Sequence, residues 1–207
     1  MEHNRILCLS PHADDSDIWA GGSIARWIEE GKNVHYVAFS IPPDDIEHKP
    51  LVLRKELLEA TEVLGIKREN IHISNFVPRE FPNSRQDILD YMLFLKQDVK
   101  PDLVLLPSTN DTHQDHKVIS EEGFRAFKLC SIVGYESPYN NMQFKTGMYV
   151  KLSKKHIERK IAAVKKYKSQ EDKIYANEGF FKSLAQVRGA QIGAEFAECF
   201  EVIRVIE

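Results

Sequence analysis

Cysteine is scarce in this chain. Cys8, Cys130 and Cys199 stand far apart in 207 residues and form no CxxC pair. No disulfide framework is implied, and a reducing compartment is favoured. Cys8 and Cys199 lie in apolar runs and are expected as buried free thiols. Positive charge is not in excess: 28 Lys and Arg against 31 Asp and Glu give a net charge of -3. That leaves no electrostatic footprint for nucleic acid or for an anionic membrane surface. The basic residues between Lys151 and Lys173 are interrupted by Glu158, Glu171 and Asp172 and read as a solvated helix face. No GxGxxG or Walker pattern accompanies Gly21-Gly22, which disfavours a flavodoxin-like nucleotide binder; close helix–strand packing explains the pair better. Residues Met1 to Arg5 lack the apolar core of a signal peptide, and no apolar run approaches the ~18–20 residues of a membrane span. A cytoplasmic protein with no transmembrane segment is expected.

The remaining composition, 43% hydrophobic and 29% charged, is that of a globular domain, and the length fits a single one over residues 1–207. Short apolar runs at Ile6–Ser10, Val34–Phe39, Ile71–Phe76 and Leu103–Leu106 read as strands. Helical patterns lie between them: one opened by Gly21-Gly22 and stopped at Gly31, one over Leu51–Leu64, and one over Arg85–Gln97. This alternation predicts an α/β fold, a Rossmann-like, doubly wound and mostly parallel sheet with helices on both faces. Beyond Ser131 the pattern changes to strands at Ile132–Tyr135 and Gln143–Lys151, helices at Lys154–Tyr167 and Phe180–Arg188, and a last strand at Phe200–Ile206.

Two runs carry the chemistry: Pro11-His12-Ala13-Asp14-Asp15 and His113-Gln114-Asp115-His116. Each follows an apolar strand, at the sheet edge where open α/β folds bind ligands. Charged groups are rarely buried there unless paired or metal-bound. Zinc takes imidazole nitrogen and carboxylate oxygen, and three protein ligands leave an open position. His12, one carboxylate of the first run and one histidine of the second would suffice. The spare carboxylate and histidine could then move protons. The competing reading is a capped turn with hydrogen-bonded imidazoles, Asp14 being a good helix N-cap. His3, His35, His48, His72 and His156 match no ligand spacing.

These residues resemble the LmbE-like or PIG-L deacetylases, zinc hydrolases that remove acetyl groups from N-acetylglucosamine derivatives. The first motif stands here as His12-Ala13-Asp14-Asp15-Ser16-Asp17 with Gly21-Gly22, and the second as Asp111-Thr112-His113-Gln114-Asp115-His116. Weaker matches are Arg54-Lys55-Glu56, Lys160-Ile161-Ala162-Ala163 with Ser169-Gln170, and Arg188-Gly189. The resemblance implies one catalytic zinc ion held by His12, Asp15 and His116. It makes Asp14 the general base, and His113, oriented by Asp115, the group that stabilises the oxyanion and protonates the amine. It further implies substrate contacts at Arg54 and Arg188, an amino-sugar conjugate as partner, and homo-oligomerisation, which is frequent among such proteins. Ala13, Asp17 and Tyr167 depart from the usual Pro, Glu and His of the pattern. The alternatives are a zinc amidase or esterase on a non-sugar substrate, and a metal- or metabolite-binding module without catalysis. Loops at Pro42–Pro50, Val77–Arg85 and Ser137–Asn141 are the expected selectors of substrate.

Overall fold

In the first strand, β1 (Arg5–His12), Ile6 and Cys8 enter one apolar layer while Leu7 and Leu9 enter another. A strand buried on both faces needs helices above and below, and that requirement organises the molecule. A computed structural model of the protein describes residues 3–41, 49–173 and 177–207. Its strands are β1, β2 (Asn33–Ser40), β3 (Ile71–Ile73), β4 (Leu103–Pro107), β5 (Ser131–Tyr135), β6 (Met148–Leu152) and β7 (Phe196–Arg204). They form one sheet in the order β3-β2-β1-β4-β5-β7-β6. β1 to β5 are parallel, and β7 runs antiparallel between β5 and β6.

Helices α1 (Asp15–Glu29), α2 (Lys49–Leu64), α5 (Lys154–Val164) and α6 (Glu178–Ala190) cover the face lined by Ile6, Cys8, Tyr36 and Leu105. Helices α3 (Arg85–Val99) and α4 (Gln114–Phe127) cover the other, packing Met92, Leu95, Ile119 and Phe127 on Leu7, Leu9 and Leu106. The expected doubly wound α/β architecture is therefore what the chain adopts. Cys8 and Cys199 are buried free thiols, as expected. Among the described residues no helix is long and apolar enough to cross a membrane.

Several boundaries differ from the sequence reading. Helix α1 begins at Asp15, so Gly21-Gly22 lies within it rather than opening it. The pair serves close approach: a Cβ on Gly22 would sit 2.6 Å from Leu152 Cδ1 and 3.1 Å from Glu198 Oε1. Glu198 accepts from the N–H groups of Gly22 (3.1 Å) and Ser23 (2.7 Å) and from Lys160 Nζ (2.6 Å), tying α1 to β7 and α5. β3 stops at Ile73, and β6 starts only at Met148, where its pairing with Phe200 of β7 begins. β7 itself starts at Phe196, four residues before the apolar run that marks it.

Successive strands pass from β1 outward to β3, then return to β4 on the other side of β1. The carboxyl ends of β1 and β4 diverge at this switch point, where such sheets open a crevice for ligands.

Candidate metal centre

β1 ends at His12, and the chain turns through Ala13 and Asp14 into α1, whose first residue is Asp15. β4 ends at Pro107, and a loop held by Asp111 leads into α4 at Gln114. The two strand ends bring three donor atoms together. His12 Nδ1 lies 3.1 Å from Asp15 Oδ2 and 3.4 Å from His116 Nε2, and His116 Nε2 lies 3.3 Å from Asp15 Oδ2. A tetrahedral ion with bonds of about 2.0–2.1 Å has ligands about 3.3 Å apart. The triangle fits that spacing, and two imidazoles with one carboxylate are a donor set suited to zinc.

The other ring nitrogens are already engaged. His12 Nε2–H donates to Asp115 Oδ2 (3.1 Å), and His116 Nδ1–H donates to Asp111 Oδ2 (2.8 Å). Each bond assigns the proton to the far nitrogen and turns the near lone pair inward, the usual support of a metal-binding histidine. A second group, His12, His113 and Asp115, also clusters. In it His113 Nδ1 accepts the Asp115 N–H at 3.1 Å and Asp115 Oδ2 accepts the Arg79 N–H at 2.7 Å, whereas in the first group both imidazoles have their far nitrogens held by carboxylates. The first group is thus the better candidate for an ion.

Asp14 occupies the N-cap position of α1, yet its side chain makes no cap hydrogen bond. Its buried Oδ2 has no hydrogen-bond partner, and Lys173 Nζ stands 3.7 Å from it. The capped-turn reading therefore does not account for this carboxylate. Burial pushes its pKa up, with Lys173 opposing and Asp15 adding to the rise. His113, by contrast, does cap its helix, through Nδ1. Burial and the neighbouring His116 and His12 hold its pKa down. A neutral His113 with Nδ1 occupied presents Nε2–H, a donor for an oxyanion rather than a source of protons. Asp115 steadies His113 through its backbone N–H, while its carboxylate serves His12 and Arg79.

Beneath the loop, the Ala13 carbonyl accepts from Tyr36 Oη at 2.8 Å, and Tyr167 Oη lies 3.0 Å from it. Tyr167 Oη also stands 2.6 Å from Asp17 Oδ2, and burial raises the Asp17 carboxyl to about 7 against the hydrogen bonds of Tyr167 and Tyr36. These contacts absorb the departures at Asp17 and Tyr167: the two residues pair with each other.

A cleft of about 560 Å³ opens over the three donors, a size ordinary for small-molecule sites. Asp14, His113, Arg79, Tyr139, Asn140 and Lys173 are among its walls. Two of the expected selector loops thus contribute, 77–85 through Arg79 and 137–141 through Tyr139 and Asn140. Residues 42–48 of the third lie outside the described residues. Arg79 is a backbone exception, with φ of 69°, a conformation that costs a non-glycine residue of order 1–3 kcal/mol. The two expected substrate contacts lie away from this cleft. Arg54 is exposed on α2 beside Glu59 and Glu62, outside the cleft. Arg188 is engaged with Glu136 at the end of β5 (Nε to Oε2, 2.9 Å) and lines a separate small cavity. Helix periodicity could not distinguish these arginines from cleft residues, because either face of a helix can carry one.

The site's protonation yields a prediction. Burial lowers the His12 and His116 pKa values, but Asp115 and Asp15 outweigh it for His12, reaching about 9, and Asp15 and Asp111 for His116, reaching about 10. Raised folded-state values favour the metal-free fold fully below about 6.5 and lose that contribution as pH climbs through the folded values. An ion needs both imidazoles neutral, so its binding releases protons and strengthens with pH. From about pH 6.5 to about pH 9 the Tm of metal-free protein should fall, and the Tm gain from saturating zinc should widen. A zinc-dependent gain that shrinks with rising pH would contradict this, as read by differential scanning fluorimetry.

Several known proteins are similar to this chain in sequence and fold. Diacetylchitobiose deacetylase of Thermococcus kodakarensis is 25% identical over 220 residues, covering 94% of this chain and 81% of its own. The solved N,N'-diacetylchitobiose deacetylase of Pyrococcus horikoshii superposes with a TM-score of 0.81 at 24% identity, over 98% of this chain and 84% of that one. The 4-carboxy-2-hydroxymuconate hydratase of Pseudomonas putida shares the fold too, with a TM-score of 0.74 at 21% identity over 98% of each chain. One fold thus carries more than one chemistry, and the reaction has to be argued from the site. Residues 7–127, more than half of the chain and running from within β1 to the end of α4, match the family described as PIG-L, GlcNAc-PI de-N-acetylase, and the protein belongs to that family.

Proposed function

We propose that this protein is a zinc-dependent N-deacetylase acting on the acetamido group of an N-acetylglucosamine-type conjugate. The observation that carries the reading is the meeting of the His12, Asp15 and His116 donors beside an uncapped, buried Asp14 carboxylate in a PIG-L family chain. Zinc bound by those three side chains would lend Lewis acidity to the amide carbonyl and to the attacking water.

Asp14 takes the proton of the attacking water, a role its raised pKa favours by making the carboxylate more basic. His113 donates its Nε2–H toward the oxygen on which negative charge develops. The proton gained by Asp14 is then available to the departing amine, since His113 is held neutral. This revises the proton-donor role expected of His113. Lys173 holds the Asp14 carboxylate from the cleft side, and Asp111 and Asp115 fix the tautomers of the metal-binding histidines.

The test is release of free amine from a panel of N-acetylglucosamine conjugates by purified protein. Turnover should vanish on chelation and return with zinc. Zinc-loaded protein that frees no amine from any member of the panel would overturn the proposal in favour of a metal-binding module. Activity confined to non-sugar amides or esters would replace its substrate class.

A further inference from the structure

We infer that Arg79 forms an anion subsite in the cleft, selecting substrates that carry a phosphate or carboxylate near the acetamido group; the inference rests on the deacetylase reading for the identity of the scaffold it decorates. Arg79 is one of two non-glycine residues with positive φ among the described residues, at 69°. Its conformation is fixed from both sides by the second motif. The Arg79 N–H donates to Asp115 Oδ2 at 2.7 Å, and the Arg79 carbonyl accepts from Gln114 Nε2. The same Asp115 oxygen accepts from His12 Nε2, so the Arg79 backbone is coupled through one atom to a histidine of the donor triangle.

A strained backbone at a cleft, held by the motif beside the donor atoms, is the pattern of a position kept for its side chain. Glycine would adopt this conformation without penalty, and arginine stands there instead. Arg79 lines the cleft and is exposed, and its guanidinium has no hydrogen-bond or ion-pair partner among the described residues. The other cations facing the cleft are compensated: Lys173 lies 3.7 Å from Asp14 Oδ2, and His12 and His116 face Asp15. Among the described residues Arg79 is thus the cleft's uncompensated positive charge. A planar guanidinium matches the paired oxygens of a phosphate or carboxylate. The short backbone link to His12 puts Arg79 in the same cleft as the donor triangle, within reach of an anion carried by the substrate.

The test is equilibrium binding to the zinc-loaded full chain, read by calorimetry. The ligands are glucosamine, glucosamine 6-phosphate and glucosamine 1-phosphate, and a parallel assay measures kcat/KM on their N-acetylated forms. At least one phosphorylated sugar should bind more tightly than glucosamine by about ten- to a hundred-fold, the range of a charge-assisted hydrogen-bond pair. R79A and R79G should remove that ratio, and R79K should restore part of it. R79G should fold with a Tm no lower than the parent, separating loss of the guanidinium from loss of the fold. Equal binding of neutral and phosphorylated sugars by the parent, or a ratio that survives R79G, would overturn the subsite. If amine release is absent while the ratio and its Arg79 dependence persist, the deacetylase reading fails and the subsite stands.

Discussion

Asp14→Asn will lower turnover on an N-acetylated sugar by about 10²–10⁴-fold, the range a positioned general base contributes, and will leave zinc content unchanged. Two observations separate this carboxylate from its neighbour Asp15. Asp15 Oδ2 contacts both donor histidines, whereas the nearest charged partner of Asp14 is Lys173 at 3.7 Å. Asparagine keeps the size and half the hydrogen-bonding capacity of the side chain, and no cap bond is lost, because Asp14 makes none. The loss should therefore fall on kcat and spare both fold and metal. The measurement is kcat alongside zinc per chain by plasma mass spectrometry. Turnover within tenfold of the parent would remove Asp14 from the base role, and loss of zinc would make it a ligand.

His116→Ala will abolish stoichiometric zinc binding, and His113→Ala will not. Changes to groups that merely support a ligand already cost about 10–100-fold in metal affinity, so deleting a ligand costs more. His116 is also buried between Asp15 and Asp111, with Nδ1 2.8 Å from Asp111 Oδ2. Removing it strands buried carboxylates in the metal-free protein, at a cost of about 3–5 kcal/mol in stability. His113 supplies an N-cap bond and a wall of the cleft, so its alanine variant should keep zinc while losing activity. Zinc retained by the His116 variant and lost from the His113 variant would transfer the centre to His12, His113 and Asp115.

The parallel half of the sheet was legible because β1, β2 and β4 are short apolar runs with no room for a helix of the same composition. Both metal loops were legible because His and Asp cluster where those runs end. The start of α1 lies earlier than the sequence suggests, since Gly21-Gly22 resembles a helix opening, but the close packing expected of the pair is present against Leu152 and Glu198. Long-range partners left no local mark. Asp111 was visible only as a motif letter, and nothing in the spacing says that it holds His116. Lys173 sits in a run of basic residues that reads as solvated, and only the folded chain brings it to Asp14. Arg54 and Arg188 illustrate the converse: a helix arginine can be named from sequence, but its face and its partner are set by packing.

The placement of β7 bears on the order in which the centre is assembled. Its Glu198 holds Gly22 and Ser23 of the helix that carries Asp15, and its Glu201 accepts from Ser108 Oγ (2.8 Å) and from the N–H of Thr109 (2.8 Å) on the loop that leads to His116. One strand thus props both halves of the donor triangle, and it pairs with β5 and β6 at once. During synthesis the three donors and their carboxylate partners Asp111 and Asp115 emerge within the first 116 residues, but the strand that braces their loops arrives some eighty residues later. A nascent chain stalled after α4 would hold every ligand yet lack the brace that spaces them. The donor triangle thus takes its full set of supports only once β7 is paired in the sheet.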